Sequence, residues 1–198
     1  MKLLFIANRI PYPPFRGDKL KIYHLGKCLS AYSEVHLIAF LENSNDLQYK
    51  EELEKIFSSV TLIPLPKWKS YVNVLFSLFT SIPFQVAYFK SSKMAAAIQK
   101  LIRSTHFDAV HIQHIRMAHY GLSLPIKNKI LDLPDAYSLY WERRVQNASS
   151  FIEKLFNQFE RNRLWNYEHS VLKIFPKVLV CSSEDARYLE TQHLLNSI

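Results

Sequence analysis

Short apolar runs alternate with helical patterns along this chain, and that alternation restricts it to a parallel sheet covered by helices on both faces. The runs are Leu3 to Ala7, Glu34 to Phe40, Val60 to Pro64, Ala109 to Ile112, Lys129 to Leu133 and Lys177 to Cys181. Between the first two, Ile22, Leu25, Gly26 and Leu29 recur at helical spacing, with Gly26 small enough for close packing on the sheet. Met94, Ile98, Leu101 and Ile102 repeat the pattern before the fourth run. Phe151, Ile152, Leu155, Phe156 and Phe159 open a long helix predicted to pass Trp165 and end near Ile174. Ser183-Glu184-Asp185 begins a last helix with a capping residue and an acidic first turn. The expected fold class is α/β, a Rossmann-like parallel sheet in one domain over residues 1–198.

The first strand runs into Arg9-Ile10-Pro11-Tyr12-Pro13-Pro14-Phe15-Arg16-Gly17-Asp18, after which a helix opens directly. A glycine at a helix start lets a ligand approach the backbone, and the unpaired N–H groups of the first turn favour phosphate. The same residues also read as an ordinary helix entry, with Asp18 as N-cap and Gly17 easing the turn. One glycine in place of three excludes the usual dinucleotide fingerprint, and no Gly-Lys-Ser/Thr marks a Walker loop.

In sheets of this kind ligands bind beyond the carboxyl ends of the strands. That rule selects Asn8 and Arg9; Leu41 and Glu42; Gln113, His114 and Arg116; Asp135 to Tyr137; and Ser182, Ser183 and Glu184. His111, His114 and His119 lack a cysteine or carboxylate at ligand spacing, so no metal site is expected. No Gly-x-Ser-x-Gly elbow marks a hydrolase.

At 198 residues and 48% hydrophobic the chain can bury one sizeable core. Cys28 and Cys181 lie in apolar-patterned segments and read as buried free thiols, which suits a reducing cytoplasm. The apolar run Leu3 to Ala7 is too short for a signal peptide, and no run approaches a membrane span. The formal charge of +8 favours anionic partners. Lys67-Trp68-Lys69 leads into Tyr71, Val72, Val74, Leu75, Phe76, Leu78 and Phe79; this suits either a membrane interface or lipid-linked acceptor, or a core helix with basic flanks. A second basic series, Arg143, Arg144, Lys154, Arg161, Arg163 and Lys173, suits diphosphate, anionic lipid or a solvated face. Nucleic acid is not an expected partner, because the basic residues are dispersed and no recognised motif is present.

The Pro-Tyr-Pro-Pro-Phe-Arg-Gly-Asp loop, Tyr23-His24-Leu25, Glu34-Val35-His36-Leu37, Phe107-Asp108-Ala109-Val110-His111 and Val180-Cys181-Ser182-Ser183-Glu184-Asp185 together resemble the N-terminal half of family 4 glycosyltransferases. These are retaining enzymes of the GT-B fold, and the Pro-Tyr-Pro-Pro-x-x-Gly-Asp form looks like bacterial sugar transferases of exopolysaccharide systems. The resemblance covers essentially the whole chain. It implies transfer of a sugar from a nucleoside diphosphate sugar to the hydroxyl of a carbohydrate or lipid-linked acceptor, in cell-surface polysaccharide or glycolipid synthesis. It implies no cofactor beyond that donor substrate and no metal. The expected location is the cytoplasm, at the inner face of an anionic membrane.

The family's second domain, which carries most nucleotide-sugar contacts and a Glu-x7-Glu signature, has no counterpart after Ser183. The chain therefore reads as the acceptor-side domain, inactive alone, with Leu194 to Ile198 as the approach to a strand. By the resemblance, Gly17 matches the glycine near the donor phosphate or acceptor. Asp135 stands where many members place a histidine that contacts the donor sugar, either as a hydroxyl-binding carboxylate or as a helix cap. The candidate catalytic residues are Asp135 and His114. Candidates for substrate and phosphate binding are Gly17, Arg16, Asp18, Arg9, Arg116, Ser183 and Glu184. The alternative is a non-catalytic Rossmann-like module that binds a nucleotide or anionic sugar.

Overall fold

The computed structural model describes residues 1–195. Strand β1 (Lys2–Ala7) is followed by α1 (Gly17–Ser30), β2 (Glu34–Leu41), a 3-10 segment at Ser44–Tyr49, α2 (Lys50–Glu54) and β3 (Ser59–Pro64). Three helices, α3 (Lys67–Ser77), α4 (Phe84–Tyr88) and α5 (Ser92–Ser104), precede β4 (Ala109–Gln113). A 3-10 turn at Ile115–Met117, then α6 (Ala118–Gly121), β5 (Asn128–Leu133), α7 (Tyr137–Gln146), α8 (Phe151–Leu172), β6 (Lys177–Val180) and α9 (Ser183–Leu195) complete the order. Asn196 to Ile198, part of the expected approach to a further strand, lie outside the described residues, and Leu194 and Leu195 belong to α9.

All six strands are parallel, in the order β3-β2-β1-β4-β5-β6, so the fold is Rossmann-like α/β. Period-two alternation divides the central strands between two cores. Leu3, Phe5 and Ala7 of β1 join Val35, Leu37, Ala39, Ile22, Leu53 and Phe57 in one apolar layer. Leu4 and Ile6 face the opposite layer with Ile38, Phe40, Met94, Ile98, Val110, Ile112 and Leu131. The crossovers reverse direction between β1 and β4, leaving a crevice at the carboxyl ends of those two strands.

Several sequence expectations change in physical detail. Gly26 is buried, but its close neighbour is Phe57, not the sheet itself; a Cβ there would collide with that ring. Cys28 and Cys181 are both exposed rather than buried. Cys28 lies off the helical stripe of Ile22, Gly26 and Leu29, and Cys181 follows the short edge strand β6.

The core-helix reading of residues 67–79 is also overturned. The residues α3 buries are Ser70 and Ser77, whereas Trp68, Tyr71, Leu75 and Phe76 are exposed, as is Phe79 beyond it. The first half of α8 has the same inverted polarity. Asn157 and Glu160 face inward, while Phe151, Ile152 and Leu155 face out. Phe84 of α4 stacks on Phe156 of α8 at 5.7 Å. No helix among the described residues is long and apolar enough to cross a membrane.

Candidate functional site

Two clefts, each of about 500 Å³, open at the carboxyl ends of the central strands. The first lies over the start of α1, lined by Gly17, Asp18, Lys21, Gln113, His114 and Asp132 among others. The second is aromatic, lined by Phe84, Tyr88, Phe89, Tyr140 and Trp141 with Arg9 and Arg144. Arg116 and Tyr137 line both clefts. The clefts thus bring together Arg9, His114, Arg116 and Asp135 from the strand ends with Arg16, Gly17 and Asp18 from the helix start.

The α1 corner differs from its sequence reading at the cap. Arg16, in extended conformation, occupies the N-cap without a side-chain cap bond, Gly17 is the first helical residue, and the Lys19 N–H donates to Asp18 Oδ1 at 3.0 Å. Asp18 lies inside the first turn and pairs with Arg9 Nε and Arg16 Nε, each at 3.5 Å. Nothing lies within 4 Å of a Cβ built on Gly17, and no glycine has positive φ. Neither packing nor backbone conformation therefore requires glycine at this point. What its hydrogen preserves is open space above the free N–H groups of a helix start.

Beneath this corner lies a network that sequence reasoning missed. Asp132, 1% exposed on β5, is bonded to Lys21 Nζ and lies 3.2 Å from His111 Nε2. Burial works against its carboxylate form, but the bonds to His111 and Lys21 outweigh it and lower the Asp132 pKa. Burial likewise opposes the Lys21 ammonium, and the bond to Asp132 reverses that and raises its pKa. Lys21 also reaches Cys181 Sγ at 3.6 Å. The available signal was a lone carboxylate between Leu131 and Leu133 in a buried strand, which is tolerated only when paired. Gln113 Nε2 donates to the Asp18 carbonyl at 2.6 Å and fastens the first turn of α1 to β4.

His114, directly after β4, has φ 77° and ψ 144°, a conformation that costs a non-glycine residue about 1–3 kcal/mol. Its Nδ1 accepts the Arg116 N–H at 3.3 Å and its Nε2 lies 2.8 Å from Tyr137 Oη. Burial, reinforced by Arg116 and Arg9, holds its pKa well below the usual imidazole value, so the ring is neutral. Arg116 donates through Nη2 to Tyr137 Oη at 3.0 Å, and through Nε and Nη2 to Gln85 Oε1 at 2.9 and 2.5 Å. Its guanidinium also lies over the rings of Phe89 and Tyr137.

Two buried glutamates of α8 build the walls. Glu168 Oε1 accepts the Tyr137 N–H at 2.6 Å, and Oε2 accepts the Ser138 N–H at 3.1 Å and the Ser138 hydroxyl. It is therefore a cap for α7 supplied from a distant helix. Glu160 does the same for α4, accepting the Phe84 N–H at 2.8 Å beside Arg163 at 3.7 Å. Burial pushes both glutamates up to about 7, against the pull of these donors. The expectation that Asp135 caps this helix is thereby corrected. Ala136 is the N-cap and has no side-chain cap bond, while Asp135 is exposed and lines the α1 cleft.

Ser183 and Glu184 belong to neither cleft lining. The capping role expected of Ser183 falls to Ser182, whose Oγ accepts the Asp185 N–H at 3.0 Å, and Glu184 pairs with exposed Arg143 at 2.6 Å. The three histidines do not converge: His111 faces Asp132, His114 faces Tyr137, and His119 lies 3.9 Å from the Tyr120 ring. Among the described residues no group of three or more His, Cys, Asp or Glu side chains is placed to hold a metal ion. Comparison with the models of protein families and with curated proteins finds no match for this chain.

Proposed function

We propose that this chain is the acceptor-side domain of a retaining glycosyltransferase of the GT-B kind, acting on a nucleoside diphosphate sugar in cell-surface polysaccharide or glycolipid synthesis. The observation that carries the reading is the pair of clefts joined at Arg116 and Tyr137. The α1 cleft balances cations (Arg16, Lys21, Arg116) against carboxylates (Asp18, Asp132, Asp135), which suits a ligand with both phosphoryl and hydroxyl groups. The aromatic cleft holds Arg9, Arg116 and Arg144 against Glu42 and offers ring faces for a sugar or lipid-linked acceptor. In this reading the protein contributes orientation and charge stabilisation of a leaving diphosphate. In the same reading Asp135, exposed in the α1 cleft, meets a sugar hydroxyl, and buried His114 acts through Tyr137.

The outward aromatic faces of α3 and α8, with Lys67, Lys69 and Lys154 on the same helices, support peripheral contact with an anionic membrane. A cytoplasmic position at the inner membrane face belongs to the same reading.

Gly17 gives the direct test. Because the space above it is open, valine fits the fold without displacing a neighbour but occupies the approach to the helix start. Gly17→Val is expected to leave the thermal midpoint nearly unchanged and to weaken uridine diphosphate binding about tenfold, the order of an overpacking penalty. Unchanged affinity, read by calorimetric titration, would remove this corner from the site.

A further inference from the structure

The bonds around Tyr137 fix the direction of its hydroxyl proton. His114 Nδ1 accepts the Arg116 backbone N–H, so in the neutral ring the remaining proton sits on Nε2 and is donated to Tyr137 Oη. Arg116 Nη2 donates to the same oxygen. With both acceptor positions of the phenol filled, its own O–H must donate elsewhere, and Tyr137 lines both clefts.

The groups beside it are directed in the same sense. Arg116 Nη1 carries no hydrogen bond among the described residues. Gln85 turns its Oε1 to the Arg116 Nε and Nη2, which leaves its amide N–H groups as the part free to meet a ligand in the aromatic cleft. Glu42, the one carboxylate lining that cleft, faces Arg9 at 3.8 Å.

We propose that Tyr137, Arg116 and Gln85 form a donor-only corner that binds an oxygen able to accept but not donate, an anionic phosphoryl oxygen, with Tyr137 as its selecting hydroxyl. The naming of phosphoryl rests on the function proposed above; the donor-only character rests on the hydrogen bonds alone. A sugar hydroxyl is a poorer occupant, because none of these three side chains offers a free acceptor for its proton and Glu42, the carboxylate of the aromatic cleft, faces Arg9. The strained backbone of His114 fits this role, since it holds the ring that turns the Tyr137 proton outward.

The test is titration of the protein and of Tyr137→Phe with inorganic pyrophosphate and, in parallel, with nucleoside diphosphate sugars. The proposal expects pyrophosphate to bind and Tyr137→Phe to weaken it about tenfold or more, the range for a hydrogen bond to a charged group. Because phenylalanine leaves the buried His114 N–H without its acceptor, proton NMR supplies a second reading on the unaltered protein. The Tyr137 hydroxyl proton should become protected from exchange when pyrophosphate is added. Equal affinity in the variant together with a hydroxyl whose exchange is unchanged by pyrophosphate overturns the proposal; protection already complete without pyrophosphate would mean that Tyr137 gives its proton to His114. Absence of pyrophosphate binding to the unaltered protein also overturns it, although sugar-nucleotide binding at Gly17 would leave the glycosyltransferase reading intact. Tyr137-dependent pyrophosphate binding without any binding of sugar nucleotides supports the corner and contradicts that reading.

Discussion

Glu168→Ala is expected to cost about 4 kcal/mol of stability, since it strips the shared acceptor from two backbone N–H groups and a hydroxyl at the buried start of α7. For a chain of this length that corresponds to a fall of about 10 °C in thermal midpoint. The loss should also reach the clefts, because Tyr137, Tyr140 and Trp141 all stand on α7. Glu168→Gln keeps the volume and one acceptor, and its effect depends on pH. The native carboxyl is raised to about 7 from an ordinary 4.5, so between those values the folded protein binds more protons than the unfolded chain. The stability this confers is complete below about pH 4.5 and is lost as pH rises through 7, at about 1.4 kcal/mol per pH unit at most. The stability difference between Glu168→Gln and the unaltered protein should therefore shrink from pH 5 to pH 7.5 as the native carboxylate ionises. A difference independent of pH, measured by urea unfolding across that range, would show that Glu168 is charged throughout.

Arg116→Ala is expected to weaken uridine diphosphate binding about a hundredfold. Arg116 is the one cation shared by the two clefts, and its loss releases Tyr137 and Gln85 as well as the charge itself. A hydrogen bond to a charged group contributes about 1.5–3 kcal/mol, and truncation here removes the charge and the orientation of its neighbours together. Arg16→Ala provides the contrast. Arg16 is 64% exposed in its side chain and among the described residues pairs only with Asp18, at 3.5 Å, so its loss should change affinity about threefold or less. Similar losses in the two variants would mean that the clefts act through diffuse charge and not through the Arg116 geometry.

The strands were legible because each is a compact apolar run, and all six lie within a residue or two of their expected bounds. The parallel order followed from the helical patterns between them. Arg9, His114, Arg116 and Asp135 were found by their positions after strands, a rule that needs topology but no side-chain contacts. The supporting residues were not legible in the same way. Glu160 and Glu168 meet Phe84 and Tyr137 across 76 and 31 residues, and nothing local announces those partners. The one clue is their spacing with Leu164, Val171 and Leu172, which places two acids on the buried stripe of α8. Asp132 left a similar trace in β5. The inverted faces of α3 and α8 mislead any reading that assumes aromatic stripes turn inward, because the inward positions belong to Ser70, Ser77, Asn157 and Glu160.

The most direct measurement is an NMR titration of the protein with a panel of nucleoside diphosphates and their sugars, following the Gly17 amide and the Arg116 side chain. Assignment of the two clefts to a nucleoside diphosphate sugar requires that at least one member bind at about 1 mM or better and shift both signals together, with the response lost in Arg116→Ala. A panel in which no member shifts either signal at about 10 mM, or in which binding maps away from both clefts, would contradict it.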